Sequence, residues 1–242
     1  MTIVSVCMAT YNGSLFINEQ INSILAQLGD TDELIISDDR STDNTMELIS
    51  KYKDARLKVV ENKGDKGVCS NFENSLKLAK GKYIFLSDQD DMWFPNKISI
   101  MCSYLINHDL VNCDCIIVDD KLNVLARSYS EFIKSGNGFI KNFIKNRYIG
   151  NCMAFNRKIL EVALPFPKAI PYHDWWIGLI AEMMFKPVFI EEQLGYHRRH
   201  DGNESNTFDG KKPSSLPEKI KKRYNLIRYL PAVYIKCLID KF

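Results

Sequence analysis

Four short runs, Ile3–Met8, Glu33–Ser37, Leu57–Val60 and Tyr83–Ser87, read as strands, and helical patterns separate them. In the first such pattern, Phe16–Leu28, the residues Phe16, Ile17, Ile21, Ile24 and Leu28 recur at intervals of three and four. A second helix starts from Ser41-Thr42-Asp43-Asn44, and a third covers Val68–Leu78. Strands joined by crossover helices predict an α/β fold with a mostly parallel central sheet flanked by helices. Ligands of such sheets gather at the carboxyl ends of the strands. Here those ends carry Thr10-Tyr11-Asn12, Asp38-Asp39 and Asp88-Gln89-Asp90-Asp91.

The last cluster is the most telling. A buried strand delivers three carboxylates to one point, where their mutual repulsion requires a cation or a set of donors. Oxygen ligands of this kind suit Mg²⁺ or Mn²⁺, which usually hold a diphosphate as well. The bland alternative is a solvated acidic turn. Three polar clusters on one rim favour a nucleotide site.

The second half alternates more loosely. After Pro95 a helix runs to about Asn107. Strands follow at Cys115–Val118, Asn151–Phe155 and Val188–Ile190, with helices near Phe139–Lys145, Ile159–Leu164 and Asp174–Phe185. The chain therefore divides into a nucleotide-binding half (residues 1–100), an acceptor-binding half of the same domain (101–210) and a basic helical tail (211–242). Asp201–Pro217 is the only linker-like stretch. A length of 242 residues, with 45% hydrophobic and 26% charged content, is ordinary for a globular protein with one sizeable core. The net charge of +2 hides an asymmetry: the tail has nine Lys or Arg against Glu218 and Asp240, so the body is acidic. Seven cysteines show no CxxC pair and read as free thiols in a reducing cytoplasm, with Cys113 and Cys115 on one strand face. Met1–Cys7 reads as a buried strand rather than a signal peptide, and no apolar stretch is long enough to span a membrane.

Individual residues carry two readings each. Tyr11 offers a stacking ring for a base and Thr10 a hydroxyl, or the pair is an ordinary strand exit. One of Asp38 and Asp39 caps the following helix, while the other is placed to accept a base imide. Gly67 precedes a helix whose free N–H groups face whatever sits there. Asp174, in Tyr172-His173-Asp174-Trp175-Trp176, is either an N-cap or a carboxylate held among aromatic rings. In Tyr196–Asn203, Arg198 is suited to gripping phosphate oxygens and His200 to a metal, unless the segment is a solvated loop. The tail places Ile220, Tyr224, Ile227, Tyr229 and Leu230 among Lys219, Lys221, Lys222, Arg223 and Arg228. Such a basic amphipathic helix fits an anionic membrane surface, or it packs on the body or against another subunit. Nothing supports nucleic-acid binding.

Ser5–Gly13, Ile36–Thr45 and Ser87–Trp93 together resemble the inverting, metal-dependent glycosyltransferases of the GT-A fold, over roughly residues 3–205. The resemblance implies base stacking for Tyr11, the base imide for Asp39, a nucleoside hydroxyl for Asp88 and the metal for Asp90. It implies a water or donor-sugar role for Asp91 and makes Asp174 the base that deprotonates the acceptor. Trp175 and Trp176 become a platform for the acceptor or donor sugar, with plain core packing the alternative for one of the two, while Arg198 and His200 lie at the diphosphate and metal. Many relatives have Gly at the position of Arg40, and Arg near Phe72, where Asn71 is the polar substitute. Ser87–Trp93 and His173–Trp176 look most like bacterial rhamnosyltransferases of surface polysaccharides. The expected reaction therefore moves L-rhamnose from dTDP-rhamnose to a saccharide acceptor, free or lipid-linked, in the cytoplasm or peripherally on the inner face of the cytoplasmic membrane. A UDP-hexose enzyme such as a galactosyltransferase is the runner-up, and a silent nucleotide-sugar-binding scaffold or a nucleotidyltransferase stands behind it.

Overall fold

A computed structural model describes residues 3–200, 203 and 215–239. The first half runs β1 (Val4–Thr10), α1 (Ile17–Leu25), β2 (Glu33–Asp38), α2 (Thr45–Ser50), β3 (Leu57–Glu61), α3 (Val68–Leu76) and β4 (Tyr83–Asp88). Strands β3, β2, β1 and β4 lie side by side and parallel, as the alternation requires. The two-residue β5 (Met92–Trp93) and α4 (Lys97–Leu105) close this half.

The second half extends the same sheet with mixed polarity. It comprises β6 (Leu110–Val118), β7 (Val124–Ala126), α5 (Tyr129–Ile133), α6 (Phe139–Ile144), β8 (Met153–Asn156), α7 (Arg157–Ala163), α8 (His173–Met184) and β9 (Pro187–Arg198). β8 joins β4 antiparallel, β6 follows, and β9 runs parallel to β6. The strand expected at Val188–Ile190 is thus twelve residues long and carries Tyr196-His197-Arg198 within it. Its register against β6 shifts twice, around Asp114. Such bulges bend a strand, and here the far end of β9 meets β5, with Met92 opposite Tyr196 and Trp93 opposite Gly195. Hydrophobicity alone marks only the early, apolar part of β9. Its polar end is extended because it has partners on both sides.

The sheet has an apolar layer on each face. In β1, Val4, Val6 and Met8 point to one side and cluster with Ile17, Ile21 and Ile24 of α1 and Met101 of α4. Cys7 points to the other and joins Phe72 and Leu76 of α3 and the residues of α7 and α8. Each fully buried Ile, Leu or Phe contributes about 1.5–3 kcal/mol through removal from water. Helix α8 is buried on nearly every side from Trp175 to Ala181. The tail forms α9 (Leu216–Ile227) and α10 (Leu230–Ile239), which pack inward through Leu226, Leu230 and Cys237. Most of the linker expected at Asp201–Pro217, with tail residues 211–214 and 240–242, lies outside the described residues. The seven cysteines form no disulfide among the described residues. No described helix is long and apolar enough to cross a membrane.

Candidate active site

The carboxyl ends of β1, β2 and β4 open into a cleft of about 360 Å³. At the β1 exit the chain turns sharply, with Asn12 in the left-handed region at φ 48°. Gln89 fastens this exit to the acidic run: its Oε1 accepts from Tyr11 N–H at 2.8 Å and its Nε2 donates to Tyr11 C=O at 2.9 Å. A side chain at Gly13 would collide with Gln89, so the glycine permits the clamp. The Tyr11 ring is left half-exposed at the cleft wall. Thr10 is buried, and its hydroxyl donates to Asp38.

The two aspartates after β2 divide their tasks. Asp38 accepts from the backbone N–H and hydroxyl of Ser41, shaping the turn into α2. Asp39 lines the cleft, accepting from Asn62 Nδ2 at 2.9 Å and from Gly67 N–H at 2.8 Å. Arg40 has φ 65°, which explains why glycine suits this position. Its guanidinium goes to the Gly64 carbonyl and Asp39, away from the cleft lining.

Beyond β4, the acidic run fans out. Asp88 and Asp90 line the cleft, whereas Asp91 turns into the protein and is 1% exposed. Burial, then the neighbouring Asp91 and Asp90 charges, pushes the Asp88 carboxyl well above the usual range. Asp90 Oδ2 accepts from Asn203 Nδ2 and pairs with His200 Nε2, both at 2.9 Å. Asp91 is held by His197 Nδ1 at 3.1 Å, Arg198 N–H at 3.0 Å and Asn151 Nδ2.

Across the cleft stands the start of α8. Asp174 Oδ2 accepts from Asn146 at 3.0 Å, and Oδ1 accepts from Trp175 N–H at 2.7 Å. Burial raises its pKa to about 6. That value suits a group that must accept a proton near neutral pH. Beside it His173 is 6% exposed and stacks on Phe72 with ring centroids 3.9 Å apart. Burial drives its pKa down to about 3, so the ring is neutral, and neither ring nitrogen has a hydrogen-bond partner among the described residues. Gly150 lets the ring approach, since a Cβ there would sit 3.0 Å from His173 Nε2. Asn71 Oδ1 is likewise buried and unpaired in the same cleft.

Thr10, Tyr11, Asp39, Asn71, Asp88, Asp90 and Asp174 are therefore brought together, with His200 bonded to Asp90. Four expectations need correction. Trp175 and Trp176 are 5% and 1% exposed, and their Nε1 groups donate to the Asn142 and Ala163 carbonyls. They pack in the core, because α8 is enclosed on nearly every side from Trp175 to Ala181. Asp91 is a buried anchor with both oxygens engaged. Arg198 faces inward too, with Nε on the Asp90 carbonyl, NH1 on the Asp120 carbonyl, NH2 on Glu19, and its guanidinium over Phe16. A guanidinium so occupied has no free face for a diphosphate. Asn71 Nδ2 is committed to the Thr10 carbonyl, so the atom facing the cleft is an oxygen, which repels phosphate and suits a hydroxyl donor. Sequence reasoning passed over Gln89, His173 and Asn203, whose roles come from contacts far along the chain.

Among the described residues, no three His, Cys, Asp or Glu side chains are grouped to hold a metal ion. The donor set nonetheless fits a cation that keeps waters and phosphate oxygens as its other ligands. Asp90 and His200 offer one carboxylate and one imidazole, and the unrelieved repulsion on Asp88 marks where positive charge would be stabilising.

Comparison with known proteins agrees with this fold. A 32% identical relative over 185 residues (72% of this chain, 68% of the other) is the UDP-Glc:alpha-D-GlcNAc-diphosphoundecaprenol beta-1,3-glucosyltransferase WfgD of Escherichia coli. The glucosyltransferase WfaP of E. coli is 41% identical over 99 residues, covering 41% of this chain and 39% of its own. Among solved structures, S. aureus TarS 1-349 in complex with UDP-GlcNAc superposes with a TM-score of 0.70 at 19% identity, over 88% of this chain and 62% of that one. The Pyrobaculum calidifontis mannosyltransferase PcManGT, in complex with GDP-Man and Mn²⁺, gives 0.61 at 20% identity, over 80% and 56%. The chain thus spans about two thirds or less of these proteins' own lengths, and its architecture is the GT-A type. Residues 5–164 match the family described as Glycosyl transferase family 2, and the chain belongs to that family.

Proposed function

We propose that the protein transfers a hexose from a UDP-sugar, with inversion, to a saccharide acceptor that is lipid-linked. The observation that carries this reading is that Asp90 and Asp174 line one cleft, an acid suited to a metal–diphosphate on one wall and a base on the other. Tyr11 stacks on the base and Asp39 accepts its imide N–H, while Asp88 meets the nucleoside sugar. Asp174 takes the proton from the acceptor hydroxyl as that oxygen attacks the anomeric carbon, and the sugar–diphosphate bond breaks on the opposite face. Asp90 and His200 would hold Mg²⁺ or Mn²⁺, which when bound neutralises charge on the departing diphosphate. The unpaired atoms of His173 and Asn71 take hydroxyls of the transferred sugar.

Similarity to WfgD, a UDP-glucose enzyme with an undecaprenol-linked acceptor, supports a uridine donor over the dTDP-rhamnose expected from the motifs. Thymine and uracil present the same imide, so Asp39 accommodates either. Seven thiols outside any disulfide among the described residues support a reducing, cytoplasmic setting. The test is thermal unfolding with Mn²⁺ and UDP, dTDP or GDP. A ligand at a hundred times its Kd stabilises by about 2.7 kcal/mol, which for a chain this size raises Tm by roughly 5–10 °C. A metal-dependent shift with UDP, lost in Asp90→Ala, is expected. A shift with dTDP alone would restore the rhamnosyl reading, and none with any nucleotide would end the proposal.

A further inference from the structure

The nucleotide cleft leaves the tail without a role, yet the tail has an unusual surface. While Leu226, Leu230 and Cys237 face the core, a second apolar stripe faces water. Along α9 it consists of Leu216, Ile220, Tyr224 and Ile227, which are 51–70% exposed and three or four residues apart. Tyr234 and Ile235 continue it on α10. A surface helix ordinarily turns its apolar stripe inward, so an additional outward stripe marks an interaction surface. The stripe reaches α6, where the Arg223 guanidinium caps the Ile144 carbonyl and Ile140 and Ile144 are both exposed. The other side of the same helix reaches the cleft: Lys222 Nζ donates to Tyr172 Oη at 3.2 Å, and Tyr172 lines the cleft two positions before Asp174.

Charge selects the partner. Residues 215–239 contain six Lys or Arg and one acidic residue, Glu218. A second copy docking on this face would set positive charge against positive charge. An anionic bilayer offers negative headgroups to the lysines and an apolar layer to the stripe. Neither α9 nor α10 is long enough to cross it, so the pair lies in the interfacial plane.

We propose that α9, α10 and the exposed edge of α6 form a docking surface for an anionic phospholipid membrane. Its consequence for catalysis, that the Asp174 wall is presented to lipid-borne acceptors, rests on the function proposed above. The membrane contact itself does not.

The full chain is sedimented with vesicles of phosphatidylcholine alone or of phosphatidylcholine and phosphatidylglycerol. Binding to the anionic vesicles is expected to exceed neutral binding by roughly tenfold or more, and to fall with added salt. The pair Ile220→Glu and Tyr224→Glu, and separately the pair Lys219→Glu and Lys221→Glu, should each abolish sedimentation with the UDP-induced thermal shift unchanged. Equal or absent binding to the two vesicle types would overturn the inference. So would a wild-type dimer in analytical ultracentrifugation that Ile220→Glu dissociates, since the surface would then belong to a second copy. Vesicle binding without any nucleotide shift would preserve the docking surface and reject the donor reading alone.

Discussion

His197 Nδ1 sits 3.1 Å from Asp91 Oδ1, and this contact ties the end of β9 to the acidic run that follows β4. Burial opposes charge on both groups. The pairing nevertheless holds Asp91 below the usual carboxylate range and His197 above the usual imidazole range. The bond fixes the backbone from which Asp90 projects.

Removing one partner should therefore be costly. His197→Ala leaves Asp91 as a buried charge short of its main compensation, and a loss of about 3–5 kcal/mol is expected in urea titrations. Its pH dependence follows from the two shifts. The contribution of Asp91 is present above its unfolded pKa and fades as pH falls through its lowered folded value. That of His197 is full below its ordinary value of 6.5 and fades as pH rises through its raised one. The penalty of the variant should peak in mildly acidic solution and shrink on the alkaline side.

Asp174 gives the opposite signature. Its folded pKa near 6 lies above the ordinary 3.8, so the native state binds a proton more readily than the unfolded chain. The stability it confers is present at low pH and lost as pH rises through 6. Asp174→Asn should lower turnover by roughly 10²–10⁴-fold while leaving UDP binding intact. At pH 7.5 it should raise stability by up to about 2 kcal/mol, the pKa shift discounted for partial exposure. The wild-type rate should fall below pH 6 as the carboxylate is protonated. An unchanged rate in the variant would remove Asp174 from its role.

His173→Phe keeps the stack on Phe72 and deletes two unpaired nitrogens. Affinity for UDP should be unchanged, while the extra affinity of the UDP-hexose over UDP should drop by roughly 2–10-fold, as for loss of one neutral hydrogen bond. Calorimetry with both ligands reads the difference. An unaltered gap would place the sugar elsewhere.

The tryptophans test the distinction between core and platform. Trp176→Phe removes a buried ring edge and its bond to the Ala163 carbonyl, and a cost of about 1–3 kcal/mol is expected. KM for donor and acceptor should stay at wild-type values. A selective rise in the acceptor KM of a stably folded variant would return the ring to the site.

What the chain reveals in advance depends on how local the cause is. β1, β2 and β4 and the carboxylates at their ends are legible because apolar periodicity and strand exits are short-range features. The residues alone leave open which of Asp38 and Asp39 shapes the turn, and it takes the bonds of Ser41 to Asp38 to show it. Arg198 reads as a phosphate ligand because its chemistry allows it, and only its distant partner Glu19 and the carbonyls of Asp90 and Asp120 show that it is consumed internally. The same holds for Asp91, whose anchors Asn151 and His197 lie 60 and 106 positions away. Trp175 and Trp176 look like a platform beside Asp174, since a sequence displays neighbours along the chain and hides the layers above and below a helix.

The Arg198–Glu19 bond joins residues 179 positions apart, and Asp90 and Asn203 are separated by 113. Contacts of that span form late in folding, because the intervening chain must surrender its freedom before they repay it. The first half has a parallel sheet of its own to collapse around, whereas the contacts of Asp90 and Asp91 with His197, Arg198 and His200 wait for the end of β9. During synthesis the ribosome must release nearly the whole described domain before a donor can be held, so a nascent chain cannot begin chemistry on a half-built cleft.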